Sequence, residues 1–189
     1  MLAAVAAERG HFRYESGHHG DLWLDLDRLL LDAGSTRALA SALAERALAC
    51  RPEVVCGPLT GGAFVAQLIA AEIGVGFVFA GRIVAGQSVT YRIPGSFRPA
   101  VRNRRVLLVD DAANAGSALL ATRQDLSACG AEVAGCASLL ALGDAAARIA
   151  AATGAPFYRL VTLERGIWLP GACPLCAARA PLVDRVPGA

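Results

Sequence analysis

From residue 34 onward the chain alternates between runs with a helical spacing of apolar positions and short runs that are apolar throughout. Gly34 and Ser35 supply a break and an N-cap, and Leu39, Leu43, Ala47 and Cys50 then recur every three to four positions until Pro52, which predicts a helix. Glu53 to Cys56 is a short strand. The turn Gly57-Pro58-Leu59-Thr60-Gly61-Gly62 opens a second helix with Val65, Leu68, Ile69 and Ile73 on one face and Gly74 at its end. Gly76 to Ala80 is the next buried strand. Gly81 to Arg105 then loses periodicity and gains Gly86, Gln87, Ser88, Pro94, Gly95, Ser96 and Pro99, a long loop holding at most a short strand at Val89 to Ile93. Order returns with a strand at Val106 to Val109, a helix through Leu119, Arg123 and Leu126 ending near Gly130, a strand at Val133 to Leu142, a helix at Ala145 to Ala152 and a strand at Phe157 to Leu163. Continuously apolar strands alternating with helices predict an α/β fold with a doubly wound parallel sheet, covered on both faces. The first 33 residues stand outside this alternation, and Phe12 to Tyr14 and Leu22 to Leu26 suggest strands of a small flap.

Composition narrows the chemistry. At 189 residues the chain fits one domain with room for a small extra lobe, at roughly 150 residues per domain. With 55% apolar and 18% charged residues it has ample material for a core, so disorder is excluded. All 18 basic residues are arginine, so no mechanism needing a lysine Schiff base, a lysine base or a P-loop lysine applies. A net charge of +2 gives no field to recruit nucleic acid or an anionic membrane, and any anion site must be local. The uncharged stretch from Val54 to Ala71 is interrupted by Gly57, Pro58, Thr60, Gly61, Gly62 and Gln67, so a strand, turn and helix explain it better than a membrane span. Met1 to Ala7 is short and lacks a preceding basic segment, so no secretory signal is expected and a cytoplasmic location follows. Four of the six cysteines lie in apolar runs, as reduced core cysteines do.

The sharpest chemical signal is Val106-Leu107-Leu108-Val109-Asp110-Asp111-Ala112-Ala113-Asn114-Ala115-Gly116-Ser117-Ala118. A buried strand ends in two carboxylates, and a turn of small residues opens a helix. In a parallel sheet, ligands lie outside the carboxyl ends of the strands, where such a turn aims backbone N–H groups at an anion. Small side chains at Ala115, Gly116, Ser117 and Ala118 let a phosphate approach, and Asp110 and Asp111 suit neighbouring ribose hydroxyls, directly or through hydrated magnesium. The bland alternative makes Asp110 a terminal polar residue and Asp111 a turn former. Two adjacent, mutually repelling carboxylates have no packing purpose, and the surrounding strand, loop and helix favour the ligand.

This stretch resembles the phosphoribosyl pyrophosphate signature of type I phosphoribosyltransferases, most of all the orotate branch, as a divergent, lysine-free member. Phe12 to Asp25 resembles that branch's hood segment, Val54 to Gly62 is similar to its pyrophosphate loop, and Arg82 sits where the family has an arginine for pyrophosphate. The resemblance implies a hood at residues 1–33, a phosphoribosyltransferase core at 34–165 and a tail at 166–189 packed on the core or hood. It also implies magnesium-assisted transfer of ribose 5-phosphate from phosphoribosyl pyrophosphate to a base nitrogen, on orotate or a related pyrimidine. Asp110 and Asp111 would hold the ribose, Asn114 to Ala118 the 5′-phosphate, and Thr60, Gly61, Gly62 and Arg82 the pyrophosphate, with 83–105, including Arg98, as a closing loop. A homodimer is implied as well. The chain departs from the orotate branch in offering Gln87, Ser88, Tyr91, Arg92 and Arg98 where that branch carries lysines and a histidine, Asn114 for a usual threonine, and Gly143-Asp144 for an arginine beside the base. A non-catalytic sensor that keeps the sugar phosphate site is therefore the rival reading, and a structural nucleotide-binding protein a third.

Other motifs have plain expectations. His18 and His19 are neighbours that rarely converge on one ion, so they are assigned to a solvent-facing flap. Cys173-Pro174-Leu175-Cys176 has the spacing of half a zinc knuckle, but no second such pair or nearby histidine completes it along the chain. Arg98, Arg102, Arg104 and Arg105 form a solvated approach to a strand.

Overall fold

A computed structural model describes residues 6–14, 17–86 and 88–184. In chain order its elements are β1 (Ala6–Arg13), β2 (His19–Asp25), α1 (Asp27–Leu31), α2 (Ala33–Ala47), β3 (Val54–Pro58), α3 (Gly61–Ile73), β4 (Gly76–Ala85), β5 (Ser88–Arg92), α4 (Arg98–Val101), β6 (Arg105–Ala113), α5 (Ser117–Ala128), β7 (Glu132–Leu142), α6 (Ala145–Thr153), β8 (Phe157–Leu163), β9 (Ile167–Trp168), α7 (Pro174–Ala177) and β10 (Val183–Asp184). The chain divides into two units, one of residues 30–163 and one joining 1–29 with 164–189.

The larger unit is built on a six-stranded sheet of order β5-β4-β3-β6-β7-β8. Its strands are parallel from β4 to β8, and only β5 runs antiparallel, as a hairpin with β4. This is the doubly wound α/β sheet expected. Burial on both faces explains the unbroken apolar runs: every residue of β3 is buried, and Val106, Leu107, Leu108 and Val109 have 0% exposure. Each such side chain contributes roughly 1.5–3 kcal/mol. Gly74 and Gly154 close α3 and α6 in the left-handed conformation. Cys50, Cys56, Cys129 and Cys136 are free and buried, and burial raises the thiol of Cys136 to about 11.

Two expectations need correction. Asp32, not Ser35, caps α2, its carboxylate accepting from the N–H groups of Gly34 and Ser35. The segment from Gly81 is not a long loop: β4 continues to Ala85 and pairs with β5, so a tight hairpin replaces it. Its signal was lost because Ile83, Val84 and Val89 are 48%, 55% and 42% exposed, which spoils the alternation a half-buried strand shows. Gln87 lies outside the described residues, as do Glu15 and Ser16 of the hood-like segment.

The smaller unit carries a four-stranded sheet of order β10-β1-β2-β9. The N-terminal hairpin thus pairs with the C-terminal tail, β10 parallel to β1 and β9 antiparallel to β2. Among the described residues, no helix is long and apolar enough to cross a membrane.

Candidate active site

Strand order locates the site. From β3 the chain steps to β4 on one side, and it returns with β6 on the other side of β3 before adding β7 and β8 outward. The topological switch point therefore lies between β3 and β6, and the crevice outside their carboxyl ends is where an open α/β sheet takes ligands. Thr60, Gly61 and Gly62 follow β3, and Asp110 and Asp111 lie near the end of β6, so the two motifs meet at that point.

Their contact is close. A Cβ on Gly61 would collide with the Asp111 carboxylate, and one on Gly62 would come within 2.6 Å of Asp110 Oδ1 and 2.9 Å of the Val109 carbonyl. A Cβ on Gly57 would strike the backbone of Gly62. The glycines are thus required by close approach of two loops, not by a turn conformation. Thr60 is the N-cap position of α3, and the Leu59–Thr60 peptide is cis.

Backbone amides hold the acidic pair: the Asp111 N–H donates to Asp110 Oδ1 at 3.1 Å and the Ala112 N–H to Asp111 Oδ1 at 2.7 Å. Burial, and next the charge of Asp111, push Asp110 well above the ordinary carboxylate range. Two hard carboxylate groups that disfavour each other's ionised form are a donor set suited to a divalent cation or to sugar hydroxyls.

Beyond them, Asn114 and Ala115 lead to Gly116, which starts α5 in the left-handed conformation at φ +78°. Glycine is needed there twice, since a Cβ would also approach Ile149 Cγ1 to 2.6 Å. No side chain caps α5, so the amides at its first turn, at Ser117 and Ala118, face outward with the positive end of the helix dipole. A residue of α6 braces this loop. Arg148 donates to the Asn114 carbonyl at 3.1 Å and the Ala115 carbonyl at 3.4 Å, while Asp144 fixes its Nε at 2.8 Å. The i,i+4 spacing of Asp144 and Arg148 on α6 was the available signal.

Arg82 lies on β4 directly across from Tyr91 of β5. Burial raises the Tyr91 phenol; Arg82 opposes that rise, and the charge of Asp110 adds to it, so Tyr91 and Arg82 share a neighbourhood with the acidic pair. Arg98 is not brought to this group. Its Nε donates to the Ile93 carbonyl at 3.2 Å, and its guanidinium joins Arg92 on Asp125. It stands at the start of α4, where the buried carboxylate of Asp125 lies 3.5 Å from its guanidinium.

The comparisons with known proteins agree with this architecture. The family model described as phosphoribosyl transferase domain matches residues 30–161. The orotate phosphoribosyltransferase of Caldanaerobacter subterraneus subsp. tengcongensis is 29% identical over 175 residues, which cover 93% of this chain and 87% of that protein. The crystal structure of orotate phosphoribosyltransferase from Aeropyrum pernix aligns with a TM-score of 0.68 and 26% identity, covering 85% of this chain and 89% of that one. Adenine phosphoribosyltransferase from Leishmania tarentolae aligns with a TM-score of 0.59 and 25% identity, covering 75% and 77%.

Proposed function

The chain belongs to the phosphoribosyltransferase family and is most like its orotate phosphoribosyltransferases; from that premise we propose that it moves ribose 5-phosphate from phosphoribosyl pyrophosphate to a ring nitrogen of orotate or a related pyrimidine, with magnesium, releasing pyrophosphate. The observation that carries this reading is the junction of Gly61 and Gly62 with Asp111 and Asp110 at the switch point, beside the uncapped start of α5.

The reaction asks for positioning and charge stabilisation more than covalent chemistry. As the base nitrogen, giving up its proton to solvent, bonds to the anomeric carbon, the bond from that carbon to the pyrophosphate oxygen breaks, and its electron pair leaves with pyrophosphate. Amides from Asn114 to Ala118 hold the 5′-phosphate, and the helix dipole favours its charge. Asp110 and Asp111 orient the two ribose hydroxyls and offset positive charge that develops on the sugar. Thr60, the backbone at Gly61 and Gly62, and Arg82 take the pyrophosphate. Magnesium, when bound at the carboxylates, would supply charge against the pyrophosphate oxygens. Arg148 keeps the phosphate loop in place from behind. The homodimer remains part of this proposal, and exposed Ile83, Val84 and Val89 on the hairpin offer apolar surface to a second copy.

One observation favours a second reading, a sensor that binds phosphoribosyl pyrophosphate without turnover. Arg92 and Arg98 are engaged on Asp125, and the chain has no lysine to replace them. Pyrophosphate release, measured with phosphoribosyl pyrophosphate, magnesium and a panel of bases including orotate, uracil and adenine, separates the two. Release with a pyrimidine is the expected result. Binding without release from any base would establish the sensor instead.

A further inference from the structure

Four side chains of the smaller unit converge on one point that the transfer reaction does not use. His11 stands on β1 and His19 on β2, the antiparallel hairpin, while Cys173 is the N-cap of α7 and Cys176 lies within it. His11 Nε2 is 3.0 Å from His19 Nδ1, Cys173 Sγ is 3.4 Å from His11 Nε2, and Cys176 Sγ is 3.7 Å from His11 Nε2 and 3.2 Å from His19 Nδ1. One ligand atom from each residue lies within 4.8 Å of all the others, and His11, His19 and Cys173 are buried.

These distances have a simple interpretation. A tetrahedral ion with metal–sulfur bonds of about 2.3 Å and metal–nitrogen bonds of about 2.05 Å separates its ligands by about 3.3 Å between nitrogens, about 3.6 Å between nitrogen and sulfur and about 3.8 Å between sulfurs. Four of the six edges, at 3.0, 3.4, 3.7 and 3.2 Å, depart from these values by only a few tenths of an ångström, and all six stay within 4.8 Å. The ring of His11 is also preset: its Nδ1 lies 3.0 Å from the Ala180 carbonyl. A carbonyl can only accept, so Nδ1 carries the proton and Nε2 presents its lone pair to the cluster, as outer hydrogen bonds fix metal-binding histidines.

We propose that His11, His19, Cys173 and Cys176 form a closed, structural zinc site. Two sulfurs and two imidazole nitrogens in a tetrahedron select zinc among common metals, and four protein ligands leave no position for substrate. On binding, the two thiols give up their protons to solvent. The site has a clear structural purpose. The sheet it stands on joins the two ends of the chain, with His11 and Cys173 separated by 162 positions, and its outer strands β9 and β10 are two residues each. A metal crosslink there closes a very long loop where little apolar area is buried. The expectations for the two motifs are corrected together: His19 does not face solvent, and the histidines that complete the cysteine pair come from the opposite end of the sequence.

The test is metal analysis of the untagged full-length protein, purified under reducing conditions and dialysed after exposure to zinc. Wild type and C50S, whose cysteine is buried elsewhere, are expected to retain one zinc per chain, and C173S and H19N about tenfold less or lower still. Should those variants fail to fold, wild type loaded with cobalt(II) decides: strong thiolate-to-cobalt charge-transfer absorption together with tetrahedral d–d bands supports the site. Folded, reduced wild type that takes up neither metal overturns it. So does full zinc retention by a folded C173S/C176S double variant, or a native disulfide between the two cysteines.

Discussion

Two aspartate sites on one strand–helix arm behave in opposite ways. Asp110, near the end of β6, has its carboxyl raised by burial and by Asp111. Asp125, in α5, is 2% exposed, and burial alone would raise it too; yet hydrogen bonds from Arg92 and the Ile93 amide, with the charges of Arg98 and Arg92, bring it below the ordinary range. The fold answers the charge of Asp125 with two guanidinium groups, whereas it sets a second carboxylate beside Asp110. A buried charge with internal partners marks architecture, and one crowded by a like charge at a sheet's switch point marks a ligand site.

Substitutions sharpen this contrast. The largest effect is expected from Gly61→Ala. Its new Cβ displaces the carboxylate of Asp111, the movable end of a side chain, so pyrophosphate release should fall ~100-fold while thermal stability changes little. A loss of folding as large as the loss of activity would contradict the functional assignment. Asp125→Ala should do the reverse. Without the carboxylate, the Ile93 N–H loses its acceptor and two guanidinium groups lose their partner, at a cost of about 2–3 kcal/mol read by urea unfolding. An unchanged midpoint would remove the structural role.

The pH dependence follows from the same carboxyl. A folded-state pKa below the unfolded one binds fewer protons in the folded protein, so the stabilisation is complete above the ordinary aspartate range. It is lost as pH falls through the depressed folded value. Asp125→Asn should therefore flatten the acid limb of stability against pH relative to wild type, and identical acid limbs would refute the linkage. The smallest effect is expected from Arg148→Ala. Loosening Asn114 and Ala115 should raise KM for the sugar phosphate several-fold, with less than about 1 kcal/mol lost in stability, since the arginine is half exposed. An unchanged KM would show that the loop needs no brace.

Legibility in the sequence tracked how local each feature is. The carboxylates and the small-residue turn occupy one run from 106 to 118, so strand, charge pair and turn could be read together. The helix end at Gly74 is equally local. The hairpin at 82–92 was missed because its apolar residues face outward and erase the period of two. The partner of Arg98 is not legible because Asp125 lies 27 positions away and charge pairing leaves no mark in sequence spacing. The histidine–cysteine cluster was hidden for the same reason on a larger scale: only pairing of the chain's two ends brings its members together.

The most direct test of the central claim is calorimetric titration of the protein with phosphoribosyl pyrophosphate in the presence of magnesium, for wild type and for Asp110→Asn/Asp111→Asn. Saturable one-to-one binding by wild type, abolished in a double variant whose melting temperature is no lower, is the predicted result. Folded wild type that takes up no phosphoribosyl pyrophosphate, or a double variant that binds it equally well, would contradict the account.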